Sequence, residues 1–209
     1  MMYSNSKKTG HWNVEVKHWN DPGQCYVGQN KHDFADRKKK EDADSLFRSG
    51  MAALMQGKLR KAKNEFNLCL SHNLAHRQAP EHLEVVEFCS KSQRVANAAI
   101  KFLGKKGMLF KLDGESAKAV KAGMAHAGFD TKSAAVAFGI GQAYLAMGKT
   151  LDMNVWARNE FERALSLLGS SRAEKYMKAA VHRIYAQAEN EEFHRAQMRR
   201  LDPHIPADW

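Results

Sequence analysis

The chain has 209 residues, of which 44% are hydrophobic and only four are proline, so it can bury a core within one domain. Its formal net charge is +10, no run of about eighteen apolar residues occurs, and its start lacks the apolar stretch of a secretion signal. Three widely spaced cysteines, Cys25, Cys69 and Cys89, favour reduced thiols over a disulfide framework. We therefore expect a cytoplasmic protein without membrane insertion.

The first 40 residues differ in composition from the rest of the chain. They hold Trp12 and Trp19 and the turn sequence Asn20-Asp21-Pro22-Gly23, but little helical periodicity. Valines alternate with polar residues before the turn, so a small hairpin is expected over residues 12–27. We interpret residues 1–40 as a mostly irregular N-terminal arm.

From residue 42 onward, apolar residues recur three and four positions apart, and short loops bearing Gly or Pro separate the periodic stretches. This spacing is typical of helical hairpins and predicts a helical domain over residues 41–199, with a tail over residues 200–209. The predicted helices are 42–56, 59–72, 80–103, 115–127, 133–147, 154–168 and 171–199.

Two segments of this region repeat one spacing of small and aromatic residues. The first has intervals of three, four, five, four and three between Gly50, Ala53, Gly57, Ala62, Phe66 and Cys69. The second has intervals of three, four, nine, four and three between Gly141, Tyr144, Gly148, Ala157, Phe161 and Ala164. In a pair of antiparallel helices, a small residue lets the axes approach and an aromatic ring on the second helix fills the gap. The four extra residues predict a longer turn in the second pair.

This pattern resembles the tetratricopeptide repeat (TPR) family. The first segment departs from the family pattern at Ala53, where an aromatic residue is usual, and at Cys69, where alanine is usual. The second departs by its insertion, and the 91 positions from Gly50 to Gly141 are not a multiple of the usual ~34. The resemblance implies an all-α, TPR-like solenoid of antiparallel helix pairs. It also implies a function, that of a protein-binding adaptor or chaperone-like scaffold that holds a partner peptide or helix in an apolar concave groove.

The same resemblance places the partner-binding residues on the first helix of each pair. These residues are Phe47, Met51 and Leu54 in the first pair, and Phe138, Gln142 and Leu145 in the second. Two interpretations remain open, since these side chains either line a groove for a partner or pack against neighbouring helices. The face lacks the Lys and Asn residues of TPR proteins that grip the acidic C-terminus of chaperones, which argues against that kind of clamp.

A basic stripe accompanies the helix predicted at 80–103. Lys91, Arg94, Lys101 and Lys105 share one side, within a cation-rich stretch at 91–121. Such a stripe is usually a solvated face, but it also suits phosphate or nucleic acid. The alternative function is therefore a nucleic-acid-associated helical repeat protein.

No enzymatic or metal-binding motif is recognisable. The sequence has no HExxH, GxSxG or phosphate loop. His11, His18, Cys25 and His32 recur every seven residues, whereas zinc ligands usually include a close pair. We expect no catalysis, no cofactor and no metal, and the sequence does not indicate an oligomeric state.

Overall fold

The computed structural model describes residues 31–107, 113–147, 151–186 and 191–205, and it shows eight helices in these ranges. They are α1 (Lys31–Met55), α2 (Leu59–His72), α3 (Ala79–Lys105), α4 (Gly114–His126), α5 (Ala134–Met147), α6 (Leu151–Leu167), α7 (Arg172–Tyr185) and α8 (Glu191–Leu201). These helices make up more than half of the chain, and the described ranges contain no strand, which confirms the all-α class. The hairpin expected over 12–27 lies outside the described residues.

Two of the predicted helix boundaries are wrong. Helix α1 begins at Lys31, so the last part of the expected arm is helical. This stretch was missed because it is highly charged and has no apolar periodicity, although it contains no Gly or Pro to stop a helix. The helix predicted at 171–199 is instead two helices, α7 and α8, which pack against each other. Residues 187–190, between the two helices, lie outside the described ranges.

The pairs α1–α2 and α5–α6 share one close contact between a glycine and a phenylalanine. A Cβ atom added at Gly50 would lie 2.6 Å from Cε1 of Phe66, and one added at Gly141 would lie 2.6 Å from Cε1 of Phe161. The expected role of the small and aromatic positions is thus confirmed. The helix bounds leave three residues between the helices of both pairs, so the four extra residues of the second pair lie within α5 and α6. The longer turn predicted from the sequence is therefore wrong.

The first pair also has the glycine that was expected at the end of its first helix. Gly57 follows α1 with a φ of 70°, a left-handed conformation that glycine adopts without a Cβ penalty. Its counterpart Gly148 lies outside the described residues. The start of α7 is set by a capping box, in which Ser171 and Glu174 each bond the other's backbone N–H.

Helix α3 lies at the centre of the fold and packs against α2, α4, α5 and α7. Gly139 allows α5 to approach it closely, because a Cβ there would collide with the Ser92 carbonyl oxygen and the Val95 side chain. Helix α7 packs against both α6 and α3, so the chain returns to its own middle. In a linear repeat stack each unit contacts only its neighbours. The structure therefore shows paired helices around a central helix, and a solenoid is not shown.

None of the helices in the described ranges is both long enough and apolar enough to cross a membrane.

Candidate functional site

A groove runs between α1, α3 and α7, and residues 202–205, here called the C-terminal segment, close it. Its lining comprises Leu54 and Met55 of α1, Val85 and Cys89 of α3, Tyr176, Ala179, Ala180 and Arg183 of α7, and Asp202 and Ile205 of the segment itself. The cavity that remains is about 20 Å³, room for about one water molecule. The expected tail over 200–209 is thus in part a packed element of the fold.

Arg183 joins two walls of this groove. Its Nη1 atom donates a hydrogen bond of 2.6 Å to the carbonyl oxygen of Met55, the last residue of α1. Carbonyls in the last turn of a helix lack partners within that helix, and a guanidinium there also complements the helix dipole. Burial lowers the pKa of Arg183 from its ordinary value, yet arginine remains charged. This bond fixes the distance between α1 and α7.

The C-terminal segment is anchored by a buried pair formed by His82 of α3 and Asp202. Nε2 of His82 lies 3.0 Å from Oδ2 of Asp202, and both side chains are buried. Nδ1 of His82 lies 2.9 Å from the carbonyl oxygen of Gln78, which can only accept. Nδ1 therefore donates, and a second hydrogen bond joins Nε2 to Oδ2. The C-terminal segment is held by this buried hydrogen bond between two side chains.

The turn that follows α8 is organised by the same aspartate. Oδ1 of Asp202 accepts a hydrogen bond of 3.1 Å from the backbone N–H of His204, and its carbonyl oxygen accepts one of 3.3 Å from Ile205. Asp followed by Pro203 is turn chemistry, since the short side chain bonds the backbone two residues later. The turn brings Ile205 into the groove, where it is buried.

Aromatic side chains enclose His82. The ring of Phe47 stands edge-on at 5.2 Å, and the ring of Tyr176 lies tilted at 4.3 Å between centroids. Phe47 also meets His204 of the C-terminal segment at 5.4 Å. These rings pack around the imidazole and keep it out of contact with water.

A second histidine, His76, closes the outer side of this cluster. Its Nδ1 accepts a hydrogen bond of 3.2 Å from the backbone N–H of Ala79, and its Nε2 lies 3.6 Å from Oδ1 of Asp44. Burial lowers the pKa of His76, while the carboxylate of Asp44 acts in the opposite direction. The accepting Nδ1 requires that the ring proton is on Nε2, directed towards Asp44.

The residues proposed for the first binding face are not on an open surface. Phe47, Met51 and Leu54 are 5%, 4% and 6% exposed. Their burial agrees with the other interpretation given above, in which these side chains pack against neighbouring helices. They were expected to be accessible because the stripe is apolar, but α3 and the C-terminal segment cover it.

The second proposed face has a different environment. Phe138 is 1% exposed and stacks on Phe88 of α3 at 5.4 Å, with Phe161 at 5.9 Å. Gln142 and Leu145 are half-buried. The two faces therefore do not form one continuous groove, since the second packs on the central helix.

The basic stripe lies where the periodicity placed it. Lys91, Arg94, Lys101 and Lys105 are all exposed. Val95 and Ala99, on the other side of α3, are fully buried. Among the residues that the structure describes, none of the four cations forms an ion pair.

The groove offers no group poised for chemistry. Cys89 lines it, but burial raises the pKa of its thiol to about 11, so the nucleophilic thiolate is disfavoured. Both ring nitrogens of His82 are engaged. Within the described ranges, no group of three His, Cys, Asp or Glu side chains could hold a metal ion. Of the evenly spaced residues in the N-terminal part, His11, His18 and Cys25 lie outside those ranges.

Sequence reasoning missed His82, Asp202 and Ile205 as parts of one site. The local signal in the sequence was an Asp-Pro turn after an amphipathic helix. Such a turn indicates that the chain reverses direction, but it does not indicate which helices the following residues contact. No protein-family model, no curated protein and no solved structure matches this chain. The resemblance to TPR proteins therefore rests on the spacing of small and aromatic residues in the sequence, and no family is identified.

Proposed function

We propose that this protein is a protein-interaction adaptor, and that the groove between α1, α3 and α7 binds a short segment of a partner protein. One observation carries the proposal: the chain's own C-terminal segment is seated in the groove as a bound peptide would be, with Asp202 paired to His82 and Ile205 buried among apolar side chains. A groove that accepts a turn of its own chain has the shape and chemistry to accept a similar one from another protein.

The chemistry of the groove supports recognition over catalysis. A general base needs a free ring nitrogen, and His82 has none. A cysteine nucleophile needs a lowered pKa, and that of Cys89 is raised. What the groove presents is a mostly apolar lining with a few polar groups, among them Arg183 and the ring of His82, as peptide-binding sites do.

Affinity capture with the full chain tests this function. The variant Ala180→Glu places a carboxylate on the groove wall, and Ala146→Glu, on an exposed position of α5, is its matched control. We expect proteins captured by the wild type and by the control to be lost with Ala180→Glu, while circular dichroism shows both variants to be folded. Identical captures with all three baits would contradict a role of the groove.

Nucleic-acid binding through the basic stripe is the second candidate function. The exposure of its four cations, without ion pairs to described residues, favours it. The two functions differ in their dependence on salt, because counterion release weakens nucleic-acid binding steeply as salt rises, whereas apolar burial is little affected.

A further inference from the structure

We propose, building on the adaptor function, that the groove recognises a two-part motif, a carboxylate followed three residues later by an aliphatic side chain. The C-terminal segment is an internal copy of this motif, with Asp202 and Ile205 in the two positions. It keeps the groove closed until a partner segment of the same chemistry displaces it. The occupant is thus a partner peptide with an acidic and an aliphatic anchor.

The acidic half of the motif follows from His82. Its Nδ1 is engaged by the Gln78 carbonyl, so Nε2 presents the remaining donor to whatever enters the groove. A carboxylate at 3.0 Å can accept a charge-assisted hydrogen bond from Nε2, and such bonds are shorter and stronger than neutral ones. An occupant without an acid at this point cannot make that bond. The groove therefore selects for Asp or Glu.

The aliphatic half follows from the walls around Ile205. Val85 lines the groove from α3, and the small side chains of Ala179 and Ala180 leave space on α7. Ile205 fills that space and is 6% exposed. The hydrogen bonds from His204 and Ile205 back to Asp202 form the turn that sets the distance between the anchors. A partner must reproduce this turn to engage both anchors.

Displacement is feasible because the closure depends on few contacts. The C-terminal segment has four residues and is held by the bond from Asp202 to His82, the buried side chain of Ile205 and the ring of His204 near Phe47. Its advantage over a partner is that it is tethered, and a tether supplies an effective concentration on the order of millimolar. A partner with the same motif and further contacts outside the groove overcomes that advantage. The apparent affinity of a free peptide for the closed chain is lowered by the fraction of chains that are open.

The test uses a fluorescein-labelled peptide with the sequence of residues 198–205 and measures its anisotropy with three full-length hosts. These are the wild type, Ile205→Ser, and the double variant Asp202→Ser with Ile205→Ser. We expect the double variant to bind the peptide at least about tenfold more tightly than the wild type, because its groove is vacated. Ile205→Ser, which keeps the acidic anchor, should be intermediate.

Changing the peptide and His82 tests the motif itself. Replacing the peptide's aspartate by asparagine should weaken binding to the double variant by about tenfold or more, as expected for loss of a charged hydrogen bond. Adding His82→Gln to the host should abolish the preference for aspartate over asparagine. Equal binding of both peptides to the double variant would overturn the proposal, as would equal affinity of all three hosts.

Further outcomes separate this proposal from the adaptor function. If the double variant loses its cooperative melt, Ile205→Ser becomes the host in which peptide preference is measured. If light scattering shows that the double variant dimerises, a second copy is the occupant and the partner motif is wrong. If captured proteins depend on Ala180 but are not released by excess peptide, the motif is wrong and the adaptor function stands. Loss of that Ala180 dependence would remove the adaptor function as well.

Discussion

His82 and Asp202 are separated by 120 positions in the sequence, and their side chains meet at 3.0 Å inside the protein. The pair connects the central helix α3 to the end of the described chain. Both partners are buried, so the pair is weakly screened by salt and strongly dependent on its geometry. In the structure it holds the C-terminal segment against the groove between α1, α3 and α7.

Removing the acid should open the groove locally. We expect Asp202→Ala to release the C-terminal segment, because Nε2 of His82 can bond to water when the segment leaves instead of remaining a buried polar atom without a partner. Hydrogen exchange should show faster exchange at the amides of His204 and Ile205, with amides of α5 and α6 unchanged. Loss of protection throughout α5 and α6 would show that the pair supports the whole fold and is not a local closure.

The glycines within the helix pairs should not tolerate alanine. A Cβ at Gly50 or Gly141 would lie 2.6 Å from a buried phenylalanine ring, so Gly50→Ala and Gly141→Ala should each destabilise the protein by about 1 to 3 kcal/mol. Gly104 is the matched control, since it also lies in a helix but has nothing within 4 Å of an added Cβ. Gly104→Ala should stabilise by up to about 1 kcal/mol through helix propensity. Urea unfolding measures all three, and equal effects would refute the close contact.

The buried apolar stripe of α1 should contribute to folding. The ring of Phe47 lies 5.6 Å from that of Phe66, and both are buried. Phe47→Ala and Phe66→Ala should each lower the free energy of unfolding by about 3 to 5 kcal/mol. Leu74→Ala, at a residue 88% exposed, should change it by less than about 0.5 kcal/mol. If Phe47→Ala left the melting temperature unchanged, the result would contradict the burial of Phe47 and would support the exposed binding face predicted from the sequence.

Acidification should destabilise the packing of α8 on α7. Nδ1 of His182 lies 2.9 Å from Nδ1 of His194, so one ring must donate and the other accept. Burial, with His194 and Lys178 nearby, lowers the pKa of His182 to about 4. The unfolded chain, with an ordinary pKa of about 6.5, then binds more protons, and stability decreases as the pH falls from about 6.5 to about 4.

Because His182 is partly exposed, solvent screening reduces the effect to on the order of 1 kcal/mol between pH 7 and pH 5. Urea unfolding at the two pH values measures it. The variant His182→Gln has no titrating ring and should lose less stability over this interval than the wild type. The same loss in both proteins would place the pH dependence elsewhere.

Replacing the cations of the basic stripe should affect binding of nucleic acid but leave the stability of the fold nearly unchanged. We expect replacement of its four cations by glutamine to change the free energy of unfolding by less than about 0.5 kcal/mol, since all four are exposed. If the stripe binds duplex DNA, the slope of log Kd against log salt should decrease by about 0.9 for each phosphate that the variant no longer neutralises. The control replaces four other exposed cations, namely Lys58, Arg60, Lys61 and Lys175. Equal loss of binding in both variants would indicate non-specific charge attraction.

The sequence alone determined most of the helices and the contact between glycine and phenylalanine within two of the pairs. Apolar residues spaced three and four apart indicate an amphipathic helix. The pairing of Gly50 with Phe66, and of Gly141 with Phe161, was predictable from side-chain volume, because the ring occupies the space that a missing Cβ leaves. The exposure of the basic stripe followed from the same periodicity, since charged heads stay in water opposite an apolar face.

Only the tertiary structure decided what covers the apolar stripe of Phe47. A local sequence pattern shows that a helix face is apolar and will be buried. It does not show whether a partner helix, a neighbouring helix or the end of the same chain buries it, because any of them removes the same surface from water. The choice depended on the contact between Asp202 and His82, which are 120 positions apart in the sequence. Burial is non-directional, so only the folded chain shows that Ile205 closes the groove.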